Sequence, residues 1–289
     1  MHWFLLSILT AITVASRDVL VKKISKDHKA MEIAAIELFW SLPFFCIALL
    51  FIEIPELNST FWLNFGLSLP LNWLSYFFYI TALTIAPLSL TVPLLSFTPV
   101  FVIITGALIL NEKINTYGLI GIVLIVISSY FLNFNEAKKG YWKPLAAIFS
   151  EKGSRLMFAV AFIFSIAGVI GKKAMINSSP LFFGFSFFFI CNLSMLCGIL
   201  LFTDVRFSTI CRYKKLGQWL GSLFFLHIIF HCLAIMGTQA AYMISLKRTS
   251  ILFTVILGWF LFKEEHFKFR GPAALMMFAG ALLIAFWGD

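Results

Sequence analysis

Charge is the scarcest resource in this chain of 289 residues: Asp, Glu, Lys and Arg make up 12% of it, hydrophobic residues 61%, and mean hydropathy is +0.96. A soluble domain of this length would lack the polar surface to cover such a core, so that class is excluded and a polytopic membrane protein is indicated. Cysteines are few, at 46, 191, 197, 211 and 232, with no CxxC pair and no metal-ligand spacing. Four of them fall in apolar spans, where a thiol behaves as a small hydrophobe. No nucleotide motif is present, so nothing points to ATP drive, and neither a cofactor nor a metal is expected. A basic region before the first apolar run is also missing, and that run contains Arg17 and Asp18. It is therefore expected to be a retained helix and not a cleaved signal. The net charge of +9 reads as loop charge that orients a chain in a bilayer and suits an anionic membrane surface, not as a nucleic-acid footprint.

What the chain does have is apolar runs of about bilayer length. Ten are expected, over 3–22, 33–53, 64–85, 88–110, 116–134, 156–174, 181–203, 219–239, 241–262 and 269–287. Ala86-Pro87 marks the third break, because a proline disfavours helix before it. Two connections have loop character, Asn135–Arg155 and Asp204–Gln218. The first divides the chain nearly in half, which suggests a repeat.

GALILNEKINTYGLIG from Gly106 lines up with GWFLFKEEHFKFRGPA from Gly258, placing Glu112 on Glu264. At nearly the same offset Lys22-Lys23 falls on Lys172-Lys173. Five crossings per half reverse the chain's sense. The fold expected is thus an all-α integral membrane protein of ten transmembrane helices, built as two inverted five-helix repeats, 1–134 and 156–289, joined by a linker at 135–155. Outside the helices, sixteen basic residues gather on one side and three, Lys113, Lys172 and Lys173, on the other. The positive-inside rule makes the richer side cytoplasmic and both termini external.

The remaining charge and polarity inside the spans are the candidates for function. Lys247 and Arg248 sit side by side in the ninth span, where each cation costs roughly 2.5–3.5 kcal/mol at the centre of a bilayer. Ser7, Thr10, Thr13 and Arg17 form one stripe of the first span. Asp18 stands four residues before Lys22, a spacing that permits a local ion pair as readily as a place in a cavity. Glu37 reads either as a proton-coupling acid or as a counter-ion to Arg17 or Arg248. Asn72, Tyr76 and Tyr79 share a helix face that suits a ligand wall or helix packing. Pro93 and Pro99 free backbone carbonyls around Leu95 and Ser96, the positions that the repeat places opposite Lys247 and Arg248. His227 and His231 stand four apart but lack the glutamate of HExxH, so cavity lining, proton relay or interhelical bonding is expected before metal binding. Three cations, Arg17, Lys247 and Arg248, face two acids, Asp18 and Glu37, which leaves the interior electropositive.

The paired segments LILNEKINTYGLIG and FLFKEEHFKFRGPA, recurring in a ten-span chain, resemble the drug/metabolite transporter superfamily, in particular its EamA-like branch. The Lys247-Arg248 pair and GKKAM at 171–175 are similar to segments of the sugar-phosphate translocators of that superfamily. The resemblance implies a solute carrier of the cell membrane, inner or plasma, with a central cavity between its halves and Lys247 and Arg248 meeting an anionic group. A secondary transporter, exporter or exchanger, is therefore expected, moving a small polar anionic or zwitterionic metabolite by alternating access, driven by protons or a counter-substrate. The substrate site would draw on Lys247, Arg248, Arg17, Glu37, Asn72, Tyr76, Tyr79, Ser96, His227 and His231. Two alternatives stand beside it. An amino-acid exporter of the same fold would use Arg248 for the carboxylate and Glu37 for the ammonium; a lipid-modifying membrane enzyme would work through His227 and His231. No oligomer interface is legible.

Overall fold

The computed structural model describes residues 2–24, 29–86, 91–132, 142, 145–146, 150–262 and 267–288, with all their side chains except those of 22–24, 83–84, 92, 255, 258–259, 261–262 and 267–270. All the regular elements among the described residues are helices, with no strand. In chain order the helices are α1 (His2–Ile24), α2 (Ala30–Leu50), α3 (Ser59–Ile85), α4 (Thr98–Leu110), α5 (Thr116–Leu132), α6 (Lys152–Ile176), α7 (Pro180–Phe202), α8 (Phe207–Arg212), α9 (Lys214–Met236), α10 (Ala240–Lys247), α11 (Ser250–Phe262) and α12 (Phe267–Trp287). A 3₁₀ segment, Val92–Phe97, runs directly into α4. Six of the described helical segments are long and apolar enough to cross a membrane, and 116–132 and 271–287 are shorter apolar helices.

Two of the ten expected spans are broken, the fourth where its prolines loosen the backbone and the ninth without such a signal. The fourth is a 3₁₀ segment followed by α4, with Pro93 and Pro99 each near the start of its piece. A proline there forfeits an amide that would have been unpaired anyway. The ninth is α10 and α11, interrupted at Arg248 and Thr249. Other ends differ because hydropathy marks only the lipid-length part of a helix. Thus α3 starts at Ser59, where Asn58 accepts the Phe61 N–H at 2.8 Å, and α9 starts at Lys214, inside the segment expected to be loop. After α9 the chain passes close to α1: a Cβ at Gly237 would lie 2.7 Å from Trp3 Cβ. Glu264, the Lys22 and Lys23 side chains, Pro87 and most of the 135–155 linker lie outside the described residues.

The packing pairs fall into mates. The first and eighth spans, α1 and α9, pack together, as do the third and sixth, α3 and α6. Likewise α1 lies on α10 and α11, and α6 on the 3₁₀ segment and α4, while α2 packs on α7 and α5 on α12. Exchanging the five spans of one half for those of the other maps each of these pairs onto another member of the set or onto itself. A pseudo-two-fold axis between repeats would give this pattern. Small residues permit the closest of these contacts: a Cβ on Gly121 or Gly280 would come within 2.8 Å of the other's carbonyl oxygen.

The interior between the halves is largely phenyl. Phe45 meets Phe225 edge-on at 5.1 Å, and Phe183 stacks on Phe187 at 5.1 Å. Such pairs add about 0.5–1.5 kcal/mol each beyond area burial. Outward-facing Leu63, Leu108, Trp219 and Leu275 are exposed, an arrangement suited to hydrocarbon and not to water.

Candidate functional site

Lys247 and Arg248 lie at the break in the ninth span. There the backbone tightens to bonds three residues long: Arg248 N–H donates to Ser245 O at 3.0 Å, Thr249 N–H to Leu246 O at 3.0 Å, and Ile251 N–H to Arg248 O at 3.1 Å. Ser245 and Thr249 hydroxyls donate to Ala241 O and Leu246 O, so side chains compete for the same carbonyls that a continuous helix would use. The matching break in the other half faces this one. Arg248 Nη2 donates to Thr98 Oγ1 at 2.7 Å, and that hydroxyl donates in turn to Leu95 O at 2.7 Å. Loosened backbone in one half is thereby joined to charge in the other through a single threonine.

A cavity of about 310 Å³ opens at this junction, within the range of small-ligand sites. Its polar wall comprises Lys247, Arg248, Thr98, Asn72, His227 and His231, together with Ser68; its apolar wall is mainly five phenyl rings, of Phe164, Phe183, Phe187, Phe188 and Phe224. Lys247 has no ion pair or hydrogen bond among the described residues. Arg248 Nε, both ring nitrogens of His227 and Nδ1 of His231 are buried without a hydrogen-bond partner. Asn72 and Thr98 are already engaged, Asn72 Nδ2 donating to Ser68 O at 2.8 Å. Among the described residues no group of three or more His, Cys, Asp or Glu is placed to hold a metal.

The other candidates stand outside the cavity wall. Arg17 Nε lies 2.7 Å from Glu37 Oε1, so these two charges meet each other. The Arg17 guanidinium also sits 5.9 Å from the Phe224 ring centre, behind the cavity. Ser7, Thr10 and Thr13 are buried, as a bundle-facing stripe requires, but their hydroxyls donate to carbonyls of their own helix. The Tyr76 hydroxyl is buried without a partner, and Tyr79 packs against the apolar cluster of Ala82, Leu94, Met157 and Val160. Ser96 is buried in the 3₁₀ segment. The Asp18–Lys22 pairing lies outside the described side chains, and Asp18 has no ion pair among them.

A second charged cluster was not foreseen as such. The first half's motif glutamate, Glu112, places Oε1 2.6 Å from Lys172 Nζ and accepts the Ala240 N–H on Oε2 at 2.8 Å; Lys172 also donates to Thr238 O. Local structure aims it there. Asn111 closes α4 at φ 55°, a left-handed position that Asn tolerates, and Glu112 N–H turns back to Gly106 O at 3.2 Å. Gly106 leaves room for the carboxylate, since a Cβ there would stand 3.0 Å from Oε2. Tyr242, fully buried, fills the space over Gly118 and accepts the Asn115 N–H at 3.2 Å. The N-terminus of α10 is thus held by first-half residues, and its C-terminus carries Lys247. Of the cavity wall, sequence pattern missed the phenyl rings and the small residues Ala167, Gly168 and Gly171. Their signal, Gly and Ala at helical spacing before GKKAM, was present but has no charge to single it out.

Residues 1–134 match the EamA-like transporter family. One solved crystal structure superposes with a TM-score of 0.73 over 98% of this chain and 98% of its own, at 16% identity, a likeness of fold. No curated protein matches the chain in sequence.

Proposed function

We propose that this chain, whose first 134 residues match the EamA-like transporter family, is a multi-pass membrane transporter of the drug/metabolite type that carries a small organic anion through the cavity at the two helix breaks. Lys247, part of that wall and with no ion pair among the described residues, carries this reading. An unpaired cation at membrane depth is costly, and an anionic ligand supplies the missing countercharge. Arg248 adds a planar fork, held in place by Thr98, and Lys247 a compact point charge, together a seat for a carboxylate or phosphate. The seat spans the junction of the halves, so rocking one repeat against the other exposes the same residues to either side. Basic loops face the cytoplasm of the cell's inner or plasma membrane. A proton or counter-substrate supplies the driving force.

The amino-acid exporter is less well supported. Its ammonium needs a carboxylate in the wall, but Glu37 is held by Arg17 away from it, and no Asp or Glu among the described residues lines the cavity. Uptake into proteoliposomes of a labelled panel of organic acids, phosphate esters and amino acids tests the reading. We expect uptake of one or more anions that disappears in Lys247→Ala/Arg248→Ala protein of normal elution profile. Uptake that survives the double substitution removes the pair from the site.

A further inference from the structure

The imidazoles of His227 and His231 face the same cavity as the cation pair, with ring centres 5.9 Å apart. His227 is 6% exposed, and neither of its ring nitrogens has a hydrogen-bond partner; Nδ1 of His231 is likewise buried and unpartnered. A neutral imidazole offers one N–H donor and one acceptor nitrogen. Buried polar groups are nearly always satisfied, so three open nitrogens in one wall mark a place that something fills. The neighbouring polar side chains do not fill it. Thr98 is used between Leu95 O and Arg248, and Asn72 donates to Ser68 O. The Phe224 ring meets His227 nearly edge-on at 6.1 Å and offers no hydrogen bond of the conventional kind.

We propose that His227 and His231 are specificity-determining residues that read a hydroxyl group on the transported anion. The inference rests on the anion reading of Lys247 and Arg248 and adds the second half of the ligand. A hydroxyl donates and accepts at once, which matches the complementary donor and acceptor of an imidazole. An ammonium in its place would lie beside Lys247 and Arg248 with no carboxylate among the described residues of the wall to balance it. The phenyl rings opposite give the carbon skeleton an apolar surface. The substrate is accordingly a compact hydroxylated carboxylate or phosphate ester without a cationic group. The shared chemistry is an anion with a neutral hydroxyl a few bonds away.

Two matched pairs of probes separate the parts: lactate against propionate, and glycerol 3-phosphate against propyl phosphate, each measured by binding to the purified full-length protein in detergent. Wild type binds the hydroxylated member of at least one pair about tenfold or more tighter, because a site built to hydrogen-bond a hydroxyl rejects the analogue lacking it. His227→Phe and His231→Leu reduce that ratio to within about twofold by weakening the hydroxylated member alone. His227→Gln, which keeps a donor and an acceptor, restores part of the preference and guards against a variant that merely misfolds. Lys247→Met weakens both members equally, which reports on the anion seat separately. Equal binding of both members of each pair by wild type overturns the proposal, as does a preference that persists in both His227→Phe and His231→Leu; the nitrogens are then met by water only. Failure of all four anions to bind wild type overturns the anion reading, and this inference with it.

Discussion

Two lysines of this chain sit in buried surroundings with opposite fates. Lys172 is 7% exposed, and its ammonium is met by a carboxylate and a backbone carbonyl. Lys247, at the far end of α10 from the amide that Glu112 caps, faces a cavity and has no ion pair among the described residues. One charge is closed by the chain itself; the other is the one proposed to meet a ligand. The contrast lies in partners as well as exposure, since Lys172 is buried against its partners and Lys247 is only partly covered. α10 joins them: Glu112 caps its first amide, where a negative group suits the positive end of the helix, and Lys247 ends it.

The largest expected effect comes from opening the closed end. Glu112→Leu leaves Lys172 buried without its carboxylate and the Ala240 N–H without its acceptor. Breaking such a pair costs about 3–5 kcal/mol, to be read as a strong fall in the melting temperature of the purified protein. Adding Lys172→Met removes the stranded charge and should recover much of that fall. A double variant as unstable as the single one would mean that the cap on α10, not the ion pair, is the main contribution.

The open end should respond in the other sense. Lys247→Met replaces an unpaired cation by an apolar chain of similar length, and the gain in stability should be positive, up to about 2.5 kcal/mol. Anion-induced stabilisation should vanish at the same time. A fall in melting temperature instead would show that Lys247 is held by the protein after all, and the two lysines would no longer differ in kind.

Much of this was legible beforehand, and the part that was not has a physical reason. Pro93 and Pro99 announced the broken fourth span, because a missing amide is a local property. Lys247, Arg248, Asn72, His227 and His231 were singled out by polarity against an apolar background, and all five line the cavity. Glu112 and Lys172 were read only as a repeat landmark and a loop charge, since 60 positions separate them and each stands near a predicted helix end. Nothing in the pattern of either segment says that the corner after α4 turns inward. The break at Arg248 was missed because hydropathy sees 241–262 as one apolar run; the competition of Ser245 and Thr249 for backbone carbonyls is visible only in three dimensions.

A smaller effect probes how the closed end is aimed. Gly106→Ala puts a methyl 3.0 Å from Glu112 Oε2, closer than ordinary contact but against the end of a side chain that can shift. The expected loss is about 1 kcal/mol, the low end of the range for overpacking. It should disappear in the Glu112→Leu/Lys172→Met background, where the carboxylate is gone. An unchanged loss there would place the strain elsewhere in α4.

The smallest effect concerns the residue that turns the corner. Asn111 holds φ 55°, and its side chain is exposed with no hydrogen bond among the described residues. If its whole contribution is conformational, glycine does the same work: Asn111→Gly relieves the left-handed strain but widens the unfolded ensemble, and the two nearly cancel. The melting temperature should therefore move by no more than the equivalent of about 0.5 kcal/mol, with Glu112 still seated on Lys172. A loss as large as that of Gly106→Ala would show that the Asn111 amide itself braces the corner. The closed end would then depend on a third side chain, and its difference from the open end would lie in scaffolding as much as in charge.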